Sequence, residues 1–104
     1  MSEVDVFAAI ANPVRREILV HLRKGPRKVS DLASEFAVGR PAVSEHLQVL
    51  RRAELVREEP RGRERYYHLD PRPLAEVESW LDVFERYWKQ RLGDLQHLLD
   101  EEES

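Results

Sequence analysis

Residues 30–56, SDLASEFAVGRPAVSEHLQVLRRAELV, constrain the fold more than any other stretch because they predict two short helices joined by a tight turn. The first helix is expected over residues 31–36, with Ser30 in the N-cap position. Gly39 is expected to provide the backbone angles of the reversal, and Pro41 then lies in the first turn of the second helix, where its missing N–H costs nothing. The segment therefore predicts a helix-turn-helix unit.

The second helix of this unit is predicted to expose a polar face. Val43, Leu47 and Leu50 recur at helical spacing and should form its buried stripe. At ~100° per residue, Pro41 and the polar side chains then lie opposite that stripe, on its edges or at the N-terminal end. These residues are Arg40, Pro41, Ser44, Glu45, His46, Gln48 and Arg52. Such a face can read base edges and contact phosphates, although a solvated surface helix of an ordinary helix pair would show the same pattern.

A β-hairpin is predicted directly after the helix-turn-helix unit. Residues 55–59 and 64–69 are enriched in Val, Leu and Tyr and read as strands, joined by a turn over residues 60–63 with Gly62 near its centre. Arg61 and Arg63 lie at its tip. A hairpin in this position is typical of the wing of a winged-helix module, so we expect phosphate or minor-groove contact. The alternative is a surface hairpin whose charges prevent edge pairing.

The charge distribution separates the chain into three parts. Residues 1–10 carry −2, residues 11–65 carry thirteen Lys or Arg against eight Asp or Glu and thus +5, and residues 66–104 carry −6, for the total of −3. A basic centre with acidic ends fits a chain that binds a polyanion through its central part and uses a different face for other contacts. The chain has no cysteine, which excludes disulfides, thiolate nucleophiles and thiolate metal ligands.

Residues 73–99 predict one long amphipathic helix with an aromatic stripe. This stripe has more apolar area than one small wing can cover. We therefore interpret it as a surface that binds a second copy of the chain, together with a short first helix near residues 4–10. The predicted dimer-interface residues are Phe7, Trp80, Leu81, Phe84, Trp88, Leu92 and Leu95. If the stripe were interior core instead, its loss would not affect the oligomeric state.

The predicted architecture is a single domain over residues 1–104. It is mainly α with a β-hairpin (α+β), a winged helix-turn-helix in the order helix, helix, helix, helix, strand, strand, helix. Residues 11–70 form the expected DNA-binding core, and residues 1–10 and 73–99 form the expected dimerisation helices. No apolar run approaches the ~20 residues of a membrane span, and the acidic N-terminus lacks a secretory signal. We expect no membrane association and a cytoplasmic protein.

Three segments resemble the ArsR/SmtB family of winged-helix repressors. Residues 7–19, FAAIANPVRREIL, are similar to the family's LADPTRREIL entry, and residues 38–47, VGRPAVSEHL, to its LSQPAVSQHL recognition segment. Residues 62–69, GRERYYHL, resemble its wing. The C-terminal pattern of Trp80, Phe84, Trp88, Leu92 and Leu95 resembles the pattern found in a cysteine-free branch of the family.

The resemblance implies a homodimeric repressor on an inverted repeat, with half-site centres about 34 Å apart. It assigns Arg40, Pro41, Ser44, Glu45, His46 and Gln48 to recognition, and Arg61 and Arg63 to wing contacts. Two positions depart from the family pattern. Gly39 replaces a capping Ser, and Glu45 replaces Gln, Lys or Arg. The Glu45 carboxylate can accept from cytosine N4 or can repel phosphate at wrong sites.

No metal site or cofactor is expected. The positions that match the family's cysteine ligands hold Lys28 and Ser30, and the position that matches a histidine ligand of its C-terminal helix site holds Arg86. His97 with Asp100 or Glu101, and Asp82 with Glu85, are the remaining oxygen and nitrogen donors there. Zinc prefers clustered imidazoles, which this pattern lacks.

The sequence leaves three functions open. We predict a sequence-specific repressor of double-stranded DNA, with an unknown inducer. The alternatives are a metal-responsive repressor with His, Asp and Glu ligands, and a protein-interaction module that has lost DNA binding. No nucleophile–base pair, phosphate-binding loop or paired-carboxylate motif indicates an enzyme.

Overall fold

The computed structural model describes residues 4–103 and has the predicted winged helix-turn-helix architecture. Residues 1–3 of the predicted N-terminal dimerisation segment and Ser104 lie outside the described residues. The elements in chain order are α1 (Val6–Ala9), α2 (Pro13–Leu22), β1 (Arg27–Lys28), α3 (Val29–Ala33), α4 (Arg40–Arg52), β2 (Val56–Arg61), β3 (Glu64–Leu69), α5 (Leu74–Asp82) and α6 (Glu85–Glu103).

Side-chain caps start the first two helices. The Asp5 carboxylate accepts from the backbone N–H of Phe7 at 2.7 Å, which caps α1. The Asn12 side-chain oxygen accepts from Val14 N at 2.8 Å and Arg15 N at 3.2 Å, and Pro13 fills the first position of α2. These contacts satisfy donors that the helical ladder leaves free.

The predicted start of the helix-turn-helix unit was wrong in two details. Helix α3 begins at Val29, so Ser30 lies inside it, and the N-cap residue is Lys28, which makes no side-chain cap. Gly39 precedes α4 with φ −71° and ψ 166°, an extended conformation open to any residue, so its glycine freedom is not used. The turn instead extends over residues 34–39 without a left-handed residue.

The sheet has three antiparallel strands in the order β1-β3-β2. Strand β1 was not predicted. Its two residues pair with Tyr67 and Tyr66 of β3, so the wing is anchored to the segment before α3. The hairpin turn is shorter than expected because Arg61 pairs with Glu64, and Gly62 takes a left-handed φ of 62° in the turn. Pro60 is tolerated within β2 because this strand is at the sheet edge.

The core lies where α2, α3, α4 and the base of the wing meet. Its largest fully buried side chains are Ile18, Leu22, Leu32, Val43, Leu47, Leu50 and Leu55. The predicted inward stripe of α4 is thus confirmed, since Val43, Leu47 and Leu50 are each 0% exposed. This burial fixes the rotation of α4, and therefore which of its side chains face outward.

The long C-terminal helix is divided in two. Val83 and Phe84 form a turn, with Val83 N bonded to Trp80 O at 3.2 Å and Phe84 N to Leu81 O at 2.9 Å. Helix α5 packs on α1, with the Phe7 and Trp80 rings in edge contact at 6.0 Å. Helix α6 extends away from the body, and the structure measures 65 Å along its longest axis.

We predict that the corner between β3 and α5 makes stability depend on pH through Asp70. Its carboxylate accepts from Arg72 N, Nε and Nη2 at 3.1, 2.9 and 2.6 Å, and these hydrogen bonds lower the pKa of Asp70 from 3.8 to about 2. The lowered pKa stabilises the fold above pH 4, and this contribution is lost as the pH falls from 4 to 2. Asp70→Asn should therefore cost about 1 kcal/mol at pH 7, because the surface pair is screened, and much less at pH 2.5.

Urea unfolding of both proteins at the two pH values measures this difference. Asp94→Asn is the control, since the Asp94 side chain makes no hydrogen bond within residues 4–103. An equal destabilisation by Asp70→Asn at pH 7 and pH 2.5 would contradict the assignment.

Candidate nucleic-acid interface

Helix α4 exposes the polar face that its sequence pattern predicts. Arg40, Pro41 and Glu45 are exposed, whereas Ser44, His46 and Gln48 are partly buried. The side chains of Arg40 and Glu45 make no hydrogen bond or ion pair within residues 4–103. The outward face therefore presents an unpaired guanidinium and an unpaired carboxylate.

The wing tip carries two arginines in different environments. The Arg61 guanidinium pairs with the Glu59 carboxylate at 2.5 Å and lies 4.3 Å from the centre of the Tyr66 ring. Arg63 is exposed and makes no such contact in the described part of the chain. Hydrogen bonds from His68 and then Arg61 lower the pKa of Glu59. Arg63 is thus free to meet a ligand, whereas Arg61 must share its charge with the wing.

A groove of about 650 Å³ lies between α4 and the wing. Four of the predicted site residues line it, namely Arg40, Ser44, Gln48 and Arg63. The other four, Pro41, Glu45, His46 and Arg61, do not line it. The structure thus brings the N-terminal end of α4 and the wing tip to one concave surface.

The groove is basic. Its lining includes the cations of Lys28, Arg40, Arg51, Arg63 and Arg65, against the carboxylates of Glu58 and Glu64. Lys28 Nζ is 3.0 Å from Glu64 Oε1, and this hydrogen bond raises the pKa of Lys28 and lowers that of Glu64. Five cations against two anions give a positive surface of the kind that phosphate binding requires.

Two contacts across the groove fix the wing relative to α4. Glu58, whose side chain is only 8% exposed, pairs with Arg51 Nη1 of α4 at 3.3 Å and with Arg65 of β3. Gln48 Nε2 of α4 donates to the Tyr67 hydroxyl at 3.2 Å, and burial raises the pKa of that hydroxyl. The two wing residues that make these contacts, Glu58 of β2 and Tyr67 of β3, lie directly opposite each other in the sheet.

These contacts change the reading of several residues. Gln48 was predicted as a base-reading side chain, and its amide is already engaged by the wing. Lys28, Arg51, Glu58, Arg65 and Tyr67 were missed as groove residues. For Glu58 the sequence contained one signal. Side chains alternate along a strand, so Glu58 lies on the same side of residues 56–61 as the apolar Val56 and is predicted to face the protein.

Arg15 and Arg16 of α2 hold the end of α1. Arg15 Nε donates to Ala9 O at 2.6 Å, and Arg16 Nη1 donates to Ile10 O at 2.8 Å. Arg15 Nη1 also lies 3.3 Å from Nδ1 of His46. His46 of α4, one of the predicted recognition residues, is therefore also in contact with α2.

Six of the seven predicted dimer-interface residues are exposed, and they make up an apolar surface on α5 and α6. Phe7 is partly buried against Trp80, whose ring also contacts Phe84 at 5.2 Å. Trp88 is 56% exposed and Leu92 66% exposed. Leu81 and Leu95 are exposed as well, and so are Leu98 and Leu99, which were not among the predicted residues. A single chain leaves this surface without cover.

Within residues 4–103, no three His, Asp or Glu side chains are grouped so that they could hold a metal ion. The same residues contain no helix of the length and apolarity that would be needed to cross a membrane.

The fold and the basic groove define a winged helix-turn-helix DNA-binding protein. The sequence profile of "Bacterial regulatory protein, arsR family" matches residues 12–58. The chain is 44% identical over 96 residues to the HTH-type transcriptional regulator Rv2034 of Mycobacterium tuberculosis, covering 92% of this chain and 87% of that protein. It is 35% identical over 77 residues to the transcriptional repressor SdpR of Bacillus subtilis, covering 74% and 86%.

Solved structures agree with the sequence comparison. A possible transcriptional regulator for arsenical resistance superposes with a TM-score of 0.72 at 41% identity, covering 78% of this chain and 84% of that one. An ArsR-like transcriptional regulator from Rhodococcus sp. RHA1 superposes with a TM-score of 0.67 at 31% identity, covering 90% and 89%. The chain belongs to the ArsR family. It is a DNA-binding transcriptional regulator of the repressor type and not an enzyme.

We predict that Glu58 stabilises the pairing of wing and α4. Glu58→Gln removes the carboxylate that Arg51 and Arg65 share, and leaves two guanidinium groups without their counter-charge. The free energy of unfolding should fall by about 1–2 kcal/mol, less than for a fully buried pair because both arginines are exposed.

Urea denaturation measures the change. The matched control is Glu45→Gln, since Glu45 makes no ion pair within the described residues, and its effect should stay within about 0.5 kcal/mol. Equal effects of the two substitutions would show that the bridge adds nothing.

Proposed function

We propose that this regulator acts as a homodimer that represses transcription from an inverted-repeat operator. The observation that carries the proposal is the basic groove, where Arg40 of α4 and Arg63 of the wing tip line one surface with unpaired guanidinium groups. An α-helix fits the major groove and a wing arginine fits phosphate or the minor groove. We assign recognition to Arg40, Pro41, Ser44, Glu45 and His46, with Gln48 positioned by Tyr67, and wing contacts to Arg63 and, more weakly, Arg61.

The apolar surface of α1, α5 and α6 supports the dimer. An exposed surface with two tryptophans and several leucines is unfavourable in water, and a second copy packed on the same surface would bury it with two-fold symmetry. Two-fold symmetry in the protein calls for two-fold symmetry in the DNA, with half-site centres about 34 Å apart. Since its partner is double-stranded DNA, we place the protein in the cytoplasm.

Selection of bound sequences from random DNA tests the proposal directly. A palindromic consensus is the expected outcome, because each subunit would read one half-site. Affinity for the selected sequence, measured by fluorescence anisotropy, should fall steeply between 50 and 200 mM salt as phosphate contacts release counterions. The absence of any enriched sequence would refute the proposal.

Arg40→Ala and Arg63→Ala should weaken binding in different ways. Arg40 lies on the recognition helix, so its loss should cost about 1–3 kcal/mol on the selected operator and relax the sequence preference. Arg63 lies on the wing, so its loss should weaken binding evenly across sequences and reduce the salt slope by about 1. Anisotropy titrations with operator and scrambled DNA distinguish the two effects.

The control for both is Arg86→Ala, which removes the same charge from α6, away from the groove. Arg61→Ala should have a smaller effect than Arg63→Ala, because Glu59 and Tyr66 already engage the Arg61 guanidinium. If Arg40→Ala and Arg63→Ala bound the operator as tightly as the parent protein, the assigned reading surface would be wrong.

Trp88→Ala should shift the protein toward monomer. The side chain is 56% exposed on one chain, so truncation leaves the subunit core intact but removes apolar area from the proposed interface. Sedimentation velocity should show the shift, with Gln90→Ala on the polar side of α6 as the control. An unchanged dimer would contradict the assignment of this stripe to the interface.

A further inference from the structure

Arg15 connects three elements with one guanidinium group. It lies in the first turn of α2 and is partly buried. Its Nε donates to Ala9 O at 2.6 Å and its Nη2 donates to Ala8 O at 3.2 Å, both at the C-terminal end of α1. Its Nη1 lies 3.3 Å from Nδ1 of His46 on α4. Arg15 therefore bridges the helix that packs on α5 and the recognition helix.

The chemistry of this contact determines the tautomer of His46. A guanidinium group has only donors, so the Arg15–His46 contact requires Nδ1 to be the acceptor. An imidazole that accepts at Nδ1 is neutral and carries its proton on Nε2. The protein thus defines the donor and acceptor atoms of this ring through a residue outside α4.

The other ring nitrogen remains available. Nε2 of His46 makes no hydrogen bond within residues 4–103. Since no fully buried side-chain nitrogen or oxygen in this part of the chain lacks a partner, Nε2 must reach the surface. With its proton fixed there, His46 presents an N–H donor on the recognition helix.

We propose that Arg15 is a positioning residue that makes His46 a hydrogen-bond donor to DNA through Nε2. The inference rests on the proposed function, because it assumes that α4 reads the operator. The matching acceptors on DNA are guanine N7 and O6, thymine O4 and phosphate oxygens. A neutral His46 of the opposite tautomer would present an acceptor instead, and would favour the amino groups of adenine or cytosine.

The same clamp links α4 to the proposed dimer surface. Arg15 holds the end of α1, and Phe7 of α1 contacts Trp80 of α5 at 6.0 Å. Arg15 therefore lies in one line of contacts that runs from Trp80 through α1 to His46.

Nitrogen NMR of the free protein tests the tautomer without DNA. Long-range proton–nitrogen spectra at pH 8 distinguish the two tautomers by their nitrogen shifts, and His46→Asn identifies the His46 signal among the four histidines. The parent protein should show the proton on Nε2. Arg15→Gln should give a mixture, whereas Arg16→Gln should leave the signal unchanged, because Arg16 holds Ile10 O of the same segment without touching His46. The proton on Nδ1 in the parent protein would overturn the proposal.

DNA affinity tests the consequence. His46→Gln keeps a polar group near the Nε2 position, whereas His46→Asn keeps only the part near Nδ1. We expect His46→Asn to weaken operator binding by about fivefold to tenfold, as for one lost hydrogen bond, and His46→Gln to weaken it less. Arg15→Gln should weaken binding by about twofold in the parent background, because an even mixture leaves half of the protein with its proton on Nε2, and should have no effect in the His46→Asn background, because Arg15 acts through His46.

A direct phosphate contact by Arg15 predicts a different result. The loss from Arg15→Gln would then be equal in both backgrounds, the salt slope would decrease, and Arg15→Lys would restore binding. This outcome would overturn the positioning role, as would unchanged affinity in Arg15→Gln. Thermal melting of each variant, with Arg16→Gln as the matched control, identifies a loss of folding. Failure of the parent protein to bind any selected DNA would refute the proposed function, whereas the tautomer measurement would still stand.

Discussion

Burial of one side of α4 is the constraint on which the rest of the structure depends. Val43, Leu47 and Leu50 are completely buried, and together they contribute roughly 5–9 kcal/mol of apolar transfer free energy at ~1.5–3 kcal/mol per side chain. Any other rotation of the helix would put these side chains in water and a carboxylate such as Glu45 in the core. The outward face is therefore a consequence of the inward face. The exposed side chains of Arg40 and Glu45 make no contact that holds the helix in place, so their chemistry is available for binding.

The wing depends on a different kind of interaction. Its strands have few buried side chains besides Val56 and Tyr67, so its position relative to α4 relies on polar contacts. The Glu58 carboxylate and the Tyr67 hydroxyl each bind a side chain of α4, and β1 pairs with β3 on the side opposite to β2. Such contacts are directional, and they fix the spacing of helix and wing better than apolar packing of so small a surface would. A rigid spacing suits the fixed distance between a major groove and the adjacent backbone.

The sequence predicts the local features well because they arise from local physics. The period of 3.6 residues fixes the buried stripe of α4, and Asn12 with Pro13 fixes the start of α2. The errors occur where distant residues decide. Strand β1 has only two residues and exists because β3 provides its partner, and it moves the start of α3 ahead of Ser30. The break at Val83 contains neither proline nor glycine, so the apolar period continues across it without a signal.

The arginines show this limit most clearly, because they are alike in sequence and different in the fold. Arg15 and Arg16 bind backbone carbonyls, Arg51 and Arg65 share one carboxylate, Arg61 pairs within the wing, and Arg40 and Arg63 remain unpaired. Only an unpaired guanidinium can neutralise a DNA phosphate, and so release the counterions condensed on the DNA, without first giving up a protein partner. The number of basic residues therefore overstates the electrostatic contribution to binding. The few that the fold leaves free should determine the salt dependence, whereas the paired ones hold the recognition helix and the wing in place.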